Sequence, residues 1–226
     1  MNGSRTSAIT AIAALGDPLR RELATFVYDS AQPVSRDDAA AALGIARSTA
    51  AFHLDRLVSD GVLNVEYKRL SGKTGPGAGR PAKLYRRVDE EISASIPPRH
   101  YDLAAELFAE SVSRAENEGM PVREALDEVA NETGATIGAT AESLTAALTA
   151  GGYEPRDDGE GGLYLTNCPF HSLTRRHSEL ICTANVALVT GLARGTNDTD
   201  NEICQVPPVD GRCCVRVVPR DRSSTD

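Results

Sequence analysis

The chain has 226 residues and a net charge of −8, and its length suffices for two small domains or one domain with a sizeable core. It has no run of about 18 apolar residues and no secretory cleavage pattern, so the sequence predicts no membrane partner. We therefore expect a cytoplasmic protein whose five cysteines stay reduced, which argues against a structural disulfide framework.

The charge is distributed unevenly along the chain. Residues 1–100 carry a net charge of +3, whereas residues 101–226 carry a net charge of −11. Residues 68–87 hold seven basic residues and no acidic one, which is typical of a surface that binds a polyanion. The two halves are therefore expected to have different roles.

The first half predicts three helices in succession. Asp17 is the expected N-cap of an amphipathic helix, whose apolar side chains are Leu19, Leu23, Phe26 and Val27. Ser35 and Asp38 indicate an imperfect capping box at the start of a second, short helix, and Gly44 indicates its end. A third helix is predicted from about Arg47 to Ser59. Two short helices joined by a glycine turn form a helix-turn-helix, whose second helix lies in the major groove of DNA.

After the third helix, apolar and polar residues alternate in two segments, which predicts a β-hairpin. This hairpin is the wing of a winged helix. Its strands are VLNVEYKRL and PAKLYRR, and its tip is the glycine-rich SGKTGPGAG. The third-helix side chains expected to reach bases or phosphates are Arg47, Ser48, Thr49, Phe52, His53 and Arg56. The wing side chains expected to neutralise phosphates are Lys68, Arg69, Lys73, Arg80 and Lys83.

Residues 14–87 resemble the winged helix-turn-helix of ArsR-type bacterial repressors. The resemblance is carried by GIARSTAAFHLDRLVSDGVL and the later GRPAKLYRR, and it covers about a third of the chain. It implies a transcriptional regulator with double-stranded operator DNA as its partner. A winged helix can instead serve protein–protein contact, but a basic loop free of acidic residues favours DNA.

The second half predicts an α+β domain behind a helix suited to dimer packing. Helices are predicted over residues 101–118, 121–132 and 136–150, and one or two further helices are predicted over residues 170–193. Two β-hairpins are expected, one within residues 153–168 and one about Asp210-Gly211. The expected fold is mainly α with α+β, in a homodimer. Its parts are a winged helix-turn-helix domain at residues 1–90, a linker and dimerisation helix at 91–120, and a cysteine-containing sensor domain at 121–226.

The cysteines are the second group of residues that the sequence singles out. Residues 167–182, NCPFHSLTRRHSELIC, carry two cysteines and two histidines, and RCCV at residues 212–215 follows Cys204. A lone cysteine is most often a small buried hydrophobe, but Cys168 lies in a polar Asn-Cys-Pro turn. The spacing does not match the short ligand pairs of a zinc finger. A metal site would therefore require the fold to gather distant segments, as dispersed thiolates do around an iron–sulfur cluster.

The strand pattern predicts that adjacent Cys213 and Cys214 point to opposite faces, so that one of them faces the site. A two-residue turn at Asp210-Gly211 would put Cys204 on the face of Cys213, and one more loop residue would put it on the face of Cys214. His171 is expected near Cys168 and can complete a coordination shell, which keeps zinc as an alternative metal.

Downstream of an ArsR-like winged helix and in this order, NCPFH, the later IC and GRCCV resemble the SufR-type regulators. These repressors bind an iron–sulfur cluster through cysteines of the C-terminal half. The resemblance implies a dimeric repressor whose DNA affinity depends on cluster occupancy or oxidation state. It assigns ligands to Cys168, Cys182 and Cys213 or Cys214, and it leaves Cys204 or His171 for the fourth position.

Two other functions remain open from the sequence. The C-terminal domain could bind a small organic effector, with its cysteines structural or filled by zinc. An enzyme with Cys168 as nucleophile and His171 as base is disfavoured, because no orienting third group or oxyanion loop is visible. We therefore expect a regulator rather than an enzyme.

Overall fold

The protein is described by a computed structural model over residues 2–69, 81–207 and 211–220. The chain divides into two compact units, Met1–Ala94 and Ser95–Asp226. Among the helices in these ranges, none combines the length and the apolar character that a membrane crossing requires.

The first unit packs helices against a small antiparallel sheet. Its elements are α1 (Asn2–Ala14), α2 (Pro18–Asp29), β1 (Val34–Ser35), α3 (Arg36–Leu43), α4 (Arg47–Ser59), β2 (Leu63–Lys68) and β3 (Ala82–Arg87). The strand order is β1-β3-β2. Leu23, Leu54, Leu57, Leu63 and Tyr85 are almost fully buried in its core.

Local capping signals confirm the predicted starts and ends of α2 and α3. The Asp17 carboxylate accepts a hydrogen bond from the backbone amide of Arg20 at 3.0 Å. Ser35 and Asp38 form a complete capping box, and Gly44 ends α3 with φ of 66°. These bonds satisfy backbone groups that a helix terminus otherwise leaves without partners. The turn between α3 and α4 is consequently only three residues long, from 44 to 46.

The predicted wing is confirmed as an antiparallel hairpin of β2 and β3. Leu63 pairs with Arg87 at one end, and Lys68 pairs with Ala82 at the other. The glycine-rich segment between these strands, with the predicted phosphate contacts Lys73 and Arg80, lies outside the described residues.

The second unit is α+β. Its elements are α5 (Tyr101–Glu118), α6 (Val122–Gly138), α7 (Leu144–Ala150), β4 (Pro155–Asp157), β5 (Leu163–Leu165), α8 (His171–Gly195), β6 (Asn201–Gln205) and β7 (Val215–Pro219). The strand order is β4-β5-β7-β6, and every neighbouring pair is antiparallel. The predicted hairpins correspond to β4–β5 and β6–β7.

The prediction of separate helices at 121–132 and 136–150 is wrong in its boundaries. Helix α6 continues without a break to Gly138, and α7 begins only at Leu144, where the Ser143 hydroxyl caps it. Glycine at position 134 is unfavourable in an isolated helix. In the folded unit, however, it faces α8, so tertiary packing outweighs the local preference.

Helices α6 and α8 approach each other so closely that only glycine fits at their crossing. The four positions are Gly134, Gly138, Gly191 and Gly195. A Cβ atom at Gly134 would overlap the carbonyl oxygen of Leu188, and one at Gly191 would overlap the carbonyl oxygen of Asn131. Because glycine has no side chain, the two backbones can lie in direct contact. This packing fixes the helix that carries Cys182.

Helix α8 is interrupted near its start. His177 has non-helical dihedral angles, with φ of −132° and ψ of 41°, so the helix consists of two parts. The first part begins at His171, and the second carries Cys182. This agrees with the prediction of one or two helices over residues 170–193.

Candidate functional site

Helix α4 has a buried face and a solvent-exposed face. Ala50, Leu54 and Leu57 pack into the core of the first unit. The opposite face carries the predicted DNA contacts, of which Arg47, Ser48, Phe52 and Arg56 are exposed, and Thr49 and His53 are half-buried. This is the face that a helix-turn-helix presents to the major groove.

Three of the predicted DNA-contacting cations already have carboxylate partners. The pairs are Arg47 Nη2 with Asp37 at 2.7 Å, Arg56 Nε with Asp60 at 2.9 Å, and Lys83 Nζ with Asp55 at 2.5 Å. Lys68 and Arg69 are exposed and form no ion pair with any residue that the structure describes. The cations of this surface are therefore of two kinds, paired and available.

Asp55 connects α4 to the wing. It accepts hydrogen bonds from Lys83 Nζ and from the hydroxyl group of Tyr85, the latter at 2.7 Å. Burial acts to raise the pKa of Asp55, but the hydrogen bonds with Lys83 and Tyr85 outweigh it and hold that pKa below its usual value. Burial and the bond to Asp55 raise the pKa of Tyr85, so its hydroxyl remains a donor. Strand β3 is thereby held against the candidate recognition helix.

Changing Asp37 to Asn is expected to tighten DNA binding by about threefold to tenfold, because it frees the Arg47 guanidinium for a phosphate. Little stability is lost, since exposed ion pairs contribute about 1 kcal/mol or less. The measurement is the dissociation constant at several salt concentrations. The slope of log K against log salt should steepen by about one. Asp29→Asn is the matched control, because it removes an exposed carboxylate without freeing Arg47, and an unchanged slope in Asp37→Asn would contradict the prediction.

The second unit brings four of the five cysteines to one cleft. Cys168 follows β5, Cys182 lies on α8, and Cys213 and Cys214 lie just before β7. The cleft has a volume of about 520 Å³ and is lined by these four residues and by His171. Three segments that are distant in sequence therefore contribute to one surface.

The four thiols form a continuous chain of contacts. Cys168 interacts electrostatically with Cys213, Cys213 with Cys214, and Cys182 with Cys214. All four side chains are buried, with exposed fractions between 3% and 8%. All four belong to the hydrophobic core of the second unit, where free cysteines commonly pack as small apolar residues.

Both Cys213 and Cys214 line the cleft, whereas the strand pattern predicts that only one of them would. The reason is that neither lies in a strand, since β7 begins at Val215 and the alternation of a strand does not apply before it. Strands β6 and β7 pair from Gln205 opposite Val215. The connection spans residues 206–214, longer than the two- or three-residue turn considered from the sequence. Asp210 itself lies outside the described residues.

Cys204 and His171 occupy different places. Cys204 lies on β6 opposite Arg216, is half-buried, and is not among the residues that line the cleft. His171 is the first residue of α8 and lies exposed at the rim of the cleft. Of these two candidates for a fourth ligand, the fold thus brings only His171 near the other three.

Three arginines line the same cleft, and the sequence analysis did not single them out as candidates: Arg99, Arg175 and Arg212. Asn167 accepts a hydrogen bond from Arg99 Nη1 at 2.5 Å and donates one to the carbonyl of Pro98 at 3.0 Å. Positive charge beside thiols favours the thiolate form. Arg175 lies within residues 167–182 and Arg212 directly precedes Cys213, so both stand beside the candidate cysteines in the sequence, whereas Arg99 comes from a distant segment.

Burial and neighbouring thiols disfavour the charged form of Cys168, Cys182 and Cys213. The interaction with Cys213, together with burial, raises the pKa of Cys168. Cys168 acts to lower the pKa of Cys213, but the interaction with Cys214 and burial outweigh it and raise that pKa to about 12. Burial also raises the pKa of Cys182. A metal that binds here must therefore displace protons from the thiols.

A buried polar network supports Cys213. The amide nitrogen of Asn185 donates to Cys213 Sγ at 3.3 Å, and the amide oxygen of Asn185 accepts from the hydroxyl of Tyr153 at 2.6 Å. Burial raises the pKa of Tyr153 well above its usual value, so it remains a donor. The sulfur of Cys213 is thus held in one orientation by side chains outside the cleft lining.

Within residues 2–69, 81–207 and 211–220, no three His, Cys, Asp or Glu side chains form a group that could hold a metal ion as they lie. The raised pKa values of Cys168, Cys182 and Cys213 favour their protonated forms. Binding at the cleft would therefore require both deprotonation and a rearrangement of the side chains.

Residues 15–66 match the family model of a helix-turn-helix domain. The chain carries a helix-turn-helix domain. The matched range runs from just before α2 into β2 and includes the whole of α4. No curated protein and no solved structure matches the chain. The helix-turn-helix domain supports a DNA-binding transcription regulator, and domains of this kind typically have no enzymatic activity.

Proposed function

We propose that the protein is a homodimeric transcription repressor of the SufR type, which binds operator DNA and holds an iron–sulfur cluster in the cysteine cleft. The DNA-binding part is supported by the helix-turn-helix match over residues 15–66. The cluster is supported by one observation, which is that four thiols from three distant segments line one cleft.

DNA binding would use the exposed face of α4 for the major groove and the β2–β3 hairpin for the backbone. Exposed side chains of α4 would approach base edges, and Lys68 and Arg69 would meet phosphates. A dimer needs its two recognition helices about 34 Å apart to meet successive major grooves. A change in the spacing of the paired helices would therefore release DNA, and we propose that cluster occupancy sets this spacing.

The residues of the cleft fit an iron–sulfur cluster by the chemistry of their donor atoms. Thiolates are the usual ligands of such clusters, and Cys168, Cys182, Cys213 and Cys214 would supply four. The arginines at the cleft would balance the negative charge of the thiolates. A bound cluster would supply one-electron chemistry and sensitivity to iron and oxygen. The hydrogen bond from Asn185 to Cys213 would adjust its reduction potential, because donors to cluster sulfurs do so in general.

Zinc is the second candidate for the cleft. Four thiols, or three with His171, make a ligand set that zinc accepts in structural sites. With zinc bound, the cleft would stabilise the second unit and would carry out no one-electron chemistry at the metal, because zinc has no redox chemistry in proteins.

The experiment is purification under strictly anaerobic conditions, followed by the visible absorption spectrum and by iron, sulfide and zinc analysis. We expect a brown protein with iron and acid-labile sulfide. A colourless protein that contains stoichiometric zinc would mean that the cleft binds zinc and not an iron–sulfur cluster. A colourless protein without metal would overturn both metal assignments.

DNA binding is tested separately with the same preparations. Operator affinity is compared for the protein with cluster, for the protein without it, and for a variant with all five cysteines changed to Ser. Different affinities are expected. Identical affinities would overturn the sensing role and leave the regulator, whereas failure of every form to bind DNA specifically would overturn the regulator itself.

A further inference from the structure

Phe52 is a large apolar side chain in the middle of the exposed face of α4. It is 66% exposed, and its ring meets the ring of His53 edge-on, with centroids 5.1 Å apart and an interplanar angle of 81°. Single exposed apolar residues are common on protein surfaces and need no explanation. The position of Phe52 needs an explanation, because Phe52 lies on the face that a helix-turn-helix turns towards base edges.

Residues one helical turn away place polar groups on either side of the Phe52 ring. Ser48 and Arg56 are four positions before and after it, so all three lie on one face of α4. Asp60, which is 8% exposed, accepts a hydrogen bond from Arg56 Nε at 2.9 Å. The terminal nitrogens of Arg56 have no hydrogen-bond partner among the described residues. The face therefore offers a hydroxyl, an aromatic ring and an oriented guanidinium in succession.

The chemistry of the major groove gives an aromatic ring one good partner. Thymine is the base that presents a methyl group there, whereas the other bases present hydrogen-bond donors and acceptors. A phenylalanine ring cannot replace the hydrogen bonds that a polar base edge loses when water is excluded. Contact with a thymine methyl buries apolar surface on both sides, and the O4 acceptor of thymine beside it stays open to another donor or to water.

We propose that Phe52 contacts the 5-methyl group of a thymine in each half-site of the operator. This inference rests on the proposed DNA-binding function and names the base that the ring selects.

The test begins with selection of binding sites from a random DNA duplex library by the full-length protein. Each thymine of the selected site is then replaced with deoxyuridine, which lacks only the methyl group. We expect one position per half-site at which affinity falls about fourfold, the value of one buried methyl group. Phe52→Ala should bind the thymine and deoxyuridine duplexes equally at that position.

Tyr67→Ala is the matched control, because Tyr67 is 68% exposed on the neighbouring strand β2. It removes an equally exposed aromatic ring and should keep the wild-type response to deoxyuridine. Circular dichroism and the melting temperature verify that both variants are folded, and the exposure of both rings makes unfolding unexpected.

The inference is overturned if the wild type binds a selected site but no replacement of thymine with deoxyuridine lowers its affinity. It is also overturned if the replacement lowers the affinity of Phe52→Ala as much as that of the wild type. Unchanged DNA selection by Phe52→Ala would place the ring against another molecule, such as a protein, and would also overturn it. Failure of the wild type to select any sequence would instead overturn the proposed function, and this inference with it.

Discussion

Changing Gly191 to Ala is expected to destabilise the second unit by about 3 kcal/mol, through overpacking at the crossing of α6 and α8. The direction of this change in the free energy of unfolding is informative, because replacing glycine with alanine in an exposed helix stabilises the helix by about 1 kcal/mol. At Gly191 the added Cβ would overlap the carbonyl oxygen of Asn131. The obstacle is backbone, so the two helices must move apart and lose contacts along their length.

The measurement is the free energy of unfolding in urea, fitted with separate transitions for the two units. Thr190→Ala is the matched control, because Thr190 is the preceding residue of α8 and is exposed. That change should be neutral or slightly stabilising. A Gly191→Ala variant as stable as the wild type would mean that the helices do not approach as closely as described.

If the cleft holds the proposed cluster, changing Cys213 to Ser is expected to remove most of its iron, whereas changing Cys204 to Ser is expected to leave the iron in place. Cys213 contacts both Cys168 and Cys214 and accepts the hydrogen bond from Asn185, so it is central to the thiol chain. Cys204 lies on β6 outside the cleft. The change at Cys204 therefore controls for the loss of a thiol as such.

Iron and sulfide per chain are measured after anaerobic purification of both variants beside the wild type. Serine is nearly the size of cysteine, so the fold is expected to survive both changes, and circular dichroism verifies this. Iron lost from Cys204→Ser but kept in Cys213→Ser would reverse the assignment. Zinc in place of iron would give the same ranking for a different metal.

The first unit could be predicted from the sequence because its signals are local. The Asp17 cap, the Ser35–Asp38 capping box and the Gly44 stop each act within one helical turn. Each satisfies backbone groups by contacts between residues close in the chain. The helix-turn-helix and the paired strands of the wing followed from these signals and from the change of apolar period after α4.

The second unit was less predictable because its decisive contacts are long-range. The local sequence around Gly134 suggests a break in α6, because glycine is unfavourable inside a helix. Gly134 nevertheless lies inside α6, because the backbone of α8 comes so close that a Cβ atom would not fit. The cysteines were visible as candidates, but their grouping depends on the pairing of β5 with β7. Arg212 directly precedes Cys213 in the sequence, whereas nothing in the local sequence around Arg99 indicates that it lines the same cleft.

The ion pairs on the first unit have a consequence for how a regulator finds its operator. Arg47, Arg56 and Lys83 each face a carboxylate of the same unit, so in the proposed complex each would release fewer counterions from DNA than a free cation would. Complexes with random sequence depend on that release for most of their affinity. A regulator that binds through this surface is therefore expected to dissociate quickly from random DNA and to search the chromosome through many short-lived complexes. It would dwell mainly where base contacts add to the phosphate contacts.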